Sequence, residues 1–196
     1  MKPRVSAFAG IWLALLGWCS GVWAQALPLP PVLPASAQAG DLIFRRGTEG
    51  VSQMVLGMDK GHYSHVGMLV GERGRWNVVH ATPSEKVGQA DGVVLDSLEF
   101  FLAPQRSEAF AVYGLKNVSI HQRRSAVKWA LAQQGRGFEI VAAGKGIYCT
   151  TLVWQAWRQA GLDWPVSTTE VTLPVLKGHY LLPSALQTSA PMQHLN

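Results

Sequence analysis

Cysteine is scarce in this chain: two occur in 196 residues, and one of them, Cys19, lies in an apolar N-terminal run. So few cysteines exclude a disulfide-stapled scaffold and the usual cysteine-rich zinc sites. Cys149 therefore has no partner elsewhere in the later part of the chain. An unpaired thiol is either a small buried apolar residue or a reactive group, and the count alone leaves both open.

Several motifs of other enzyme classes are also missing. The sequence contains no His-Glu-x-x-His, no Gly-x-Ser-x-Gly and no phosphate-binding glycine loop. These absences argue against zinc peptidases, serine hydrolases of the α/β type and P-loop proteins, and we expect neither a metal nor another cofactor. The net charge of +5 comes without a block of like charges, so no nucleic-acid partner is predicted.

The N-terminus has the pattern of a secretory signal peptide. A short basic start precedes an apolar run from Val5 to about Cys19, and small residues follow up to Ala24. A membrane anchor is the alternative, but this run is shorter than the roughly 20 residues that a span needs. The bulky Trp18 before Cys19 disfavours lipidation. We predict cleavage after Ala24, a periplasmic or secreted location, and at most a peripheral association with the cell envelope.

The rest of the chain divides into three predicted parts. Residues 25–39 are rich in proline and alanine and indicate a leader without regular structure. Residues 40–187 carry alternating strand and helix patterns and form the predicted domain. The polar residues 188–196 are predicted to be a disordered tail.

Two histidines occur at a spacing that can place them together. Residues 63–70 and 76–81 read as the strands of a β-hairpin. If residues 71–74 form its turn, His65 lies directly opposite His80, and opposed side chains point to the same face about 5 Å apart. The register of a turn is not fixed by sequence, and a lone histidine in a strand is often structural.

Cys149 begins a predicted amphipathic helix that runs to Ala160 and ends at Gly161. A glycine-containing approach, residues 144–148, precedes it. The positive end of a helix dipole favours the thiolate, and a neighbouring imidazole such as His65 can accept the thiol proton. His80 could then orient that base, as the third member of a triad does.

At this point a family resemblance emerges. Four segments of the chain resemble the motif series of the NlpC-type papain-like cysteine peptidases, in particular their circularly permuted, YiiX-like branch, in which the histidine strand precedes the cysteine helix: Gly40-Asp-Leu-Ile-Phe44, Tyr63-Ser-His-Val-Gly67, Val79-His-Ala81 and Tyr148-Cys-Thr-Thr-Leu-Val153. The resemblance implies an α+β fold with a small antiparallel sheet packed against the nucleophile helix. It also implies that Cys149 is the nucleophile, His65 the base and His80 the third polar residue.

The expected activity is that of an exported cysteine hydrolase. Export makes a cell-wall peptide a sensible substrate, so a peptidoglycan amidase or endopeptidase is the first hypothesis. A lipid or acyl-ester hydrolase or acyltransferase is the second, because related permuted folds include such enzymes. A non-catalytic wall-binding module is the third. Tyr63, Trp76 and Tyr148 are the candidate substrate-binding residues.

Overall fold

The computed structural model describes residues 31–142, 146–174, 176–189 and 191–195. The predicted signal peptide, the start of the leader and the glycine-containing approach at 144–145 therefore lie outside the described residues. Within the described part, none of the helices combines the length and the apolar character needed to cross a bilayer.

A six-stranded antiparallel sheet forms the centre of the fold. Its strands follow the order β4-β3-β2-β1-β5-β8, and β6 pairs with β7 in a separate hairpin. The strands are β1 (Leu42–Gly47), β2 (His65–Glu72), β3 (Arg75–Thr82), β4 (Gly92–Ser97), β5 (Ser107–Leu115), β6 (Thr169–Leu173), β7 (Leu176–Tyr180) and β8 (Met192–Leu195). The helices are α1 (Gly50–Met58), α2 (Leu98–Phe101), α3 (Ile120–Leu131), α4 (Cys149–Gln159) and α5 (Pro183–Gln187). The expected α+β fold is confirmed.

The sheet buries apolar side chains on both faces, because successive residues of a strand point to opposite sides. Leu42 and Phe44 of β1 belong to the larger core, where α4 packs against β2 and β3. Ile43, between them, belongs to a second core that includes Phe101 of α2. The nucleophile helix thus lies on one face of the sheet, as the family resemblance implies.

The hairpin of β2 and β3 has a different register from the predicted one. Met68 pairs with Val79 and Glu72 with Arg75, so the loop contains two residues instead of four. The second loop residue is a glycine with a φ of +86°, a conformation that suits a tight hairpin turn. The shift moves the pairing by two residues, and the side chains therefore keep their faces. His80 lies opposite Gly67 and is a diagonal neighbour of His65.

The predicted boundary at residue 40 excludes a segment that packs on the domain. Residues 31–39 contain no helix or strand, as expected, but Leu33 is only 8% exposed and joins the second core. The Gln38 amide donates to the Asp41 carboxylate at 2.8 Å, which holds the end of the leader against β1. A proline-rich segment can thus be irregular and still be part of the fold, because one apolar side chain finds a hydrophobic partner surface.

We expect Leu33→Ala to destabilise the protein by about 1–3 kcal/mol, since it removes a buried side chain near the edge of the core. Val32→Ala is the matched control, because Val32 is 86% exposed and its truncation should change stability by less than about 0.5 kcal/mol. Urea unfolding of both variants measures the difference. Equal stability of the two variants would contradict the packing of the leader.

The expected disorder of residues 188–196 is wrong for most of that segment. Residues Met192–Leu195 form β8, which pairs with β5 from Val112↔Leu195 to Leu115↔Met192. The edge of β5 offers unpaired backbone groups, and Met192 contributes a buried side chain to the larger core. Local composition indicated a tail, and long-range pairing overrode it.

Candidate active site

Cys149 is the first residue of α4, and its neighbours explain why the helix begins there. The preceding Tyr148 is extended, with φ −133° and ψ 176°. The Tyr148 amide donates to the Thr151 hydroxyl at 2.9 Å, and that hydroxyl donates to the Gly146 carbonyl at 2.9 Å. Thr151 therefore stabilises the helix start with its own side chain. Cys149 is half-buried at this start.

The electrostatics of the thiol differ from the sequence-based expectation of a thiolate. Burial raises the pKa of Cys149 to about 11. The backbone amides of Val66, Thr150 and Cys149 and the charge of Arg45 act in the opposite direction, but desolvation outweighs them. The resting nucleophile is therefore a neutral thiol surrounded by donors that would stabilise negative charge once it develops.

The two predicted histidines are in direct contact. His65 Nε2 lies 2.9 Å from His80 Nδ1, and His80 Nε2 lies 3.2 Å from an Asp96 carboxylate oxygen. The other Asp96 oxygen accepts a hydrogen bond from Lys86. Both rings pack beside Phe101, at centroid distances of 5.7 Å and 5.0 Å. A continuous chain of polar contacts thus leads from His65 to Lys86.

Both imidazoles are neutral at rest. Burial, followed by the nearby Arg45 and His80, holds the pKa of His65 well below its usual 6.5. Burial also lowers the pKa of His80, against the opposing effect of Asp96. Among the described residues, His65 Nε2 is engaged by His80 and the ring has no other hydrogen-bonding partner. Nδ1 is therefore the nitrogen available to a thiol or a substrate.

Iodoacetamide should react slowly with the native protein at neutral pH, because little of a thiol with a pKa near 11 is ionised there. At pH 8 we expect alkylation at least about 100-fold slower than that of the same cysteine in urea, where the pKa returns to roughly 8.5. The native rate should keep rising above pH 9. A native titration midpoint at or below 8.5 would show that the thiolate is already formed at rest.

A buried guanidinium lies next to the histidines, and the sequence analysis missed it. Arg45 is 1% exposed and donates to the Phe101 carbonyl at 2.9 Å and to Glu85 at 2.6 Å. Glu85 also accepts from Arg106 at 2.9 Å. A charged residue directly after the apolar run of β1 was the available signal. Arg45 pairs with His65 across β1 and β2, which explains its effect on the pKa of that ring.

Cys149 and His65 line the same cavity, together with Arg45 and Glu85. The rest of its wall is mostly apolar and comes from α1, the segment before α4 and the region around β7. We call this space the apolar cavity; its apolar lining residues are Val51, Met54, Val55, Met58, Phe138, Ile140, Tyr148, Leu176, Tyr180, Leu181, Leu182 and Pro183. The nucleophile therefore opens onto a hydrophobic space, with its charged groups gathered at the histidine side.

The three predicted substrate-binding residues have different locations. Tyr148 lines the apolar cavity, and its hydroxyl accepts a hydrogen bond from the Leu181 amide at 3.0 Å. Tyr63 instead packs against Phe44, at a ring distance of 6.2 Å, and is not among the cavity residues. Trp76 packs against the second core, four residues and about 13 Å along β3 from His80. For Tyr63 and Trp76 the prediction is corrected, because sharing a strand with a histidine did not bring them to the cavity.

His65, His80 and Glu85 each offer one donor atom within 4.8 Å of the others, a set that could in principle hold a metal ion. Their contacts argue against this use. The two Glu85 oxygens are bound by Arg45 and Arg106, at 2.6 and 2.9 Å. A cation would also have to sit beside the buried guanidinium of Arg45, which repels it. The donor set of the described residues does not fit a resident metal.

Comparison with known proteins agrees with this geometry. Residues 36–174 match the family described as the permuted papain-like amidase enzyme, YaeF/YiiX, C92 family. No curated protein matches the chain. Among solved structures, the chain is similar to the one titled "Crystal structure of metalloprotein yiiX from Escherichia coli O157:H7, DUF1105", with a TM-score of 0.66 and 18% identity. That alignment covers 81% of this chain and 96% of the other, and at this identity it shows a shared fold.

Proposed function

Since the chain belongs to the permuted papain-like amidase family and is thus a papain-like cysteine hydrolase, we propose that it cleaves acyl bonds through a thioacyl intermediate on Cys149. In the first step, the Cys149 proton moves to His65 Nδ1 while the sulfur attacks the acyl carbon. The oxyanion forms near the amides that lie against the sulfur, those of Val66, Thr150 and Cys149. Collapse expels the amine or alcohol, which takes the proton from His65. Water then hydrolyses the thioester with His65 as base.

The neutral resting pair constrains the timing of this reaction. The thiol pKa is raised to about 11 and the His65 pKa is lowered well below 6.5, so an ion pair is unfavourable before the substrate binds. Proton transfer is therefore coupled to attack on the acyl carbon. The charge that develops on sulfur and oxygen meets backbone donors that are already in place, which is where electrostatic catalysis is strongest.

The apolar cavity carries the proposal for the substrate. A substrate whose acyl group is a hydrocarbon chain would bury it against α1 and β7, at about 0.8 kcal/mol per methylene. Peptidoglycan stem peptides are polar and charged, and the cavity wall away from the histidines offers them few partners. We therefore place a fatty-acyl amide or ester ahead of the cell-wall peptide.

Peptidoglycan remains the second candidate, favoured by the N-terminal pattern that predicts export. Incubation of the protein with fatty-acyl amides and with muropeptides, in parallel, separates the two by which products appear. Export itself predicts that the protein recovered from the envelope or medium of a bacterial host begins at Gln25. An N-terminus at Met1 in that fraction would contradict cleavage.

Filling the apolar cavity should shorten the accepted acyl chain. We expect Val55→Trp to lower kcat/KM for a long-chain acyl p-nitroanilide by at least about tenfold, since the indole would exclude several methylenes. The acetyl analogue should react at an unchanged rate. Gln53→Trp is the matched control, because Gln53 is exposed on the same helix. An equal loss for both chain lengths would mean that the cavity does not hold the chain.

The solved relative carries the word metalloprotein in its title, and the corresponding proposal for this chain is different. Glu85 is occupied by Arg45 and Arg106, and His65 by His80. We propose that hydrolysis by this chain needs no metal ion, since its nucleophile is the sulfur of Cys149 and its base is an imidazole.

A further inference from the structure

Asp96 is the one member of the polar chain whose hydrogen-bonding role has a fixed sign. An ionised carboxylate only accepts hydrogen bonds, whereas each imidazole nitrogen can accept or donate. The Asp96 side chain is only 2% exposed, and its two oxygens contact different partners, His80 Nε2 at 3.2 Å and the Lys86 ammonium. Partial burial works to raise the pKa of Asp96, but the hydrogen bonds from His80 and Lys86 outweigh it and lower that pKa.

This fixed sign propagates along the contacts. Because Asp96 accepts, His80 Nε2 carries the proton and donates. Neutral His80 then has an unprotonated Nδ1, which accepts at 2.9 Å from His65 Nε2. His65 in turn is left with an unprotonated Nδ1, the nitrogen that no other described residue occupies.

We propose that Asp96, held by Lys86, is a positioning residue that sets the tautomers of both histidines and so gives His65 its basic Nδ1. The inference rests on the proposed role of His65 as the base toward Cys149. It adds two residues to the site, neither of which touches the reacting atoms. The proton that His65 takes from the thiol comes to rest on a ring whose second nitrogen already donates toward a charged carboxylate.

The opposite arrangement is disfavoured by the same contacts. If His65 carried its proton on Nδ1, its Nε2 would have to accept from His80 Nδ1. Neutral His80 would then present a lone pair on Nε2 to the Asp96 carboxylate, and two acceptors would face each other. Protonating Asp96 would relieve this, but the Lys86 ammonium on its other oxygen stabilises the ionised form.

Other charges around the rings do not reverse this polarity. Arg45 of β1 and Glu85 of the loop after β3 act on His80 in opposite directions. These two residues are also bound to each other at 2.6 Å. Asp96 is the carboxylate in hydrogen-bonding contact with an imidazole, so the direction of the chain follows from it.

The test needs a measurement that does not depend on the substrate. In 15N-histidine-labelled protein at pH 7.5, NMR should show His65 with an unprotonated Nδ1 and a protonated Nε2, and His80 likewise. In Asp96→Asn the amide can either donate or accept, so the His65 proton should redistribute toward Nδ1. Protonated Nδ1 on His65 in the unaltered protein overturns the proposal, whatever the substrate proves to be.

Kinetics supply the second readout. We expect Asp96→Asn to lower kcat for a long-chain acyl p-nitroanilide by on the order of 10²–10³-fold with little change in KM, as the wrong tautomer does in other triads. Asp96→Glu should restore part of the rate, and Lys86→Met should cost about tenfold and shift the acid limb of the pH profile upward as Asp96 loses its partner. Asp163→Asn, at an exposed position, is the control. Unchanged kcat in Asp96→Asn, with the Cys149 thioester still forming, overturns the positioning role and leaves the proposed function intact.

Discussion

Replacement of Cys149 by alanine is expected to lower kcat for acyl amide hydrolysis by about 10⁴-fold or more, since no other group can form the thioacyl intermediate. The sulfur lies at the start of α4 among three backbone amides, a place that an alanine methyl group fills without charge. The fold should persist, because Thr151 and not Cys149 holds the helix start. Rates with a long-chain acyl p-nitroanilide, and circular dichroism spectra, check the two statements.

Cys149→Ser is the informative companion variant. Its hydroxyl is nearly isosteric but far less nucleophilic than sulfur, so a residual rate close to that of the alanine variant is expected. A serine variant within tenfold of the unaltered protein would mean that the group at position 149 orients water or substrate and does not attack. Thermal unfolding of both variants distinguishes lost chemistry from lost structure.

The second large effect is expected at His65. His65→Gln keeps a polar group in contact with His80 but removes the base, and kcat should fall by about 10²–10⁴-fold. The acid limb of the pH–rate profile, which reports protonation of this imidazole, should disappear from the residual activity. His62→Gln is the matched control, because His62 is exposed and three residues away on the same approach to β2.

The control also defines the contradictory outcome. If His62→Gln lost as much activity as His65→Gln, the loss would come from the conformation of the segment and not from a base. If His65→Gln retained its activity, the hydrogen-bonded pair of histidines would be structural, which is the interpretation that the sequence left open.

The sequence predicted the parts of the site that depend on short-range patterns. Cys149 begins a helix because a helical stripe follows it, and His65 and His80 share a face because the side-chain period of a strand is two. The predicted turn length was wrong by two residues, yet the pairing survived. A shift of one residue would have separated the rings, so this part of the prediction was exposed to a single turn.

Residues that depend on long-range contacts were not predicted. Asp96 reaches His80 from β4, where His80 pairs with Val94 and Asp96 follows on the same face. That pairing follows a ten-residue irregular loop, whose register no local pattern specifies. Arg45 reads from sequence as the exposed end of a strand, but it is buried because Glu85 of that loop returns to it.

The predicted thiolate failed for a related reason. A helix N-terminus favours negative charge in any sequence, whereas the desolvation that raises the pKa of Cys149 depends on how the surrounding elements pack. The apolar cavity has the same origin, since its wall combines α1, the segment before α4 and β7. A pattern in one segment cannot reveal a surface made by three.

The most direct test of the account is to trap the acyl-enzyme. The protein is mixed with a long-chain acyl p-nitroanilide, quenched in acid within the first turnover and examined by intact mass and peptide mapping, with and without prior dialysis against EDTA. We predict a mass increase equal to the acyl group minus one hydrogen, located on the peptide that contains Cys149, and rates unaffected by EDTA. Turnover without any adduct at Cys149, abolished by EDTA and restored by a metal ion, would contradict the thioacyl mechanism.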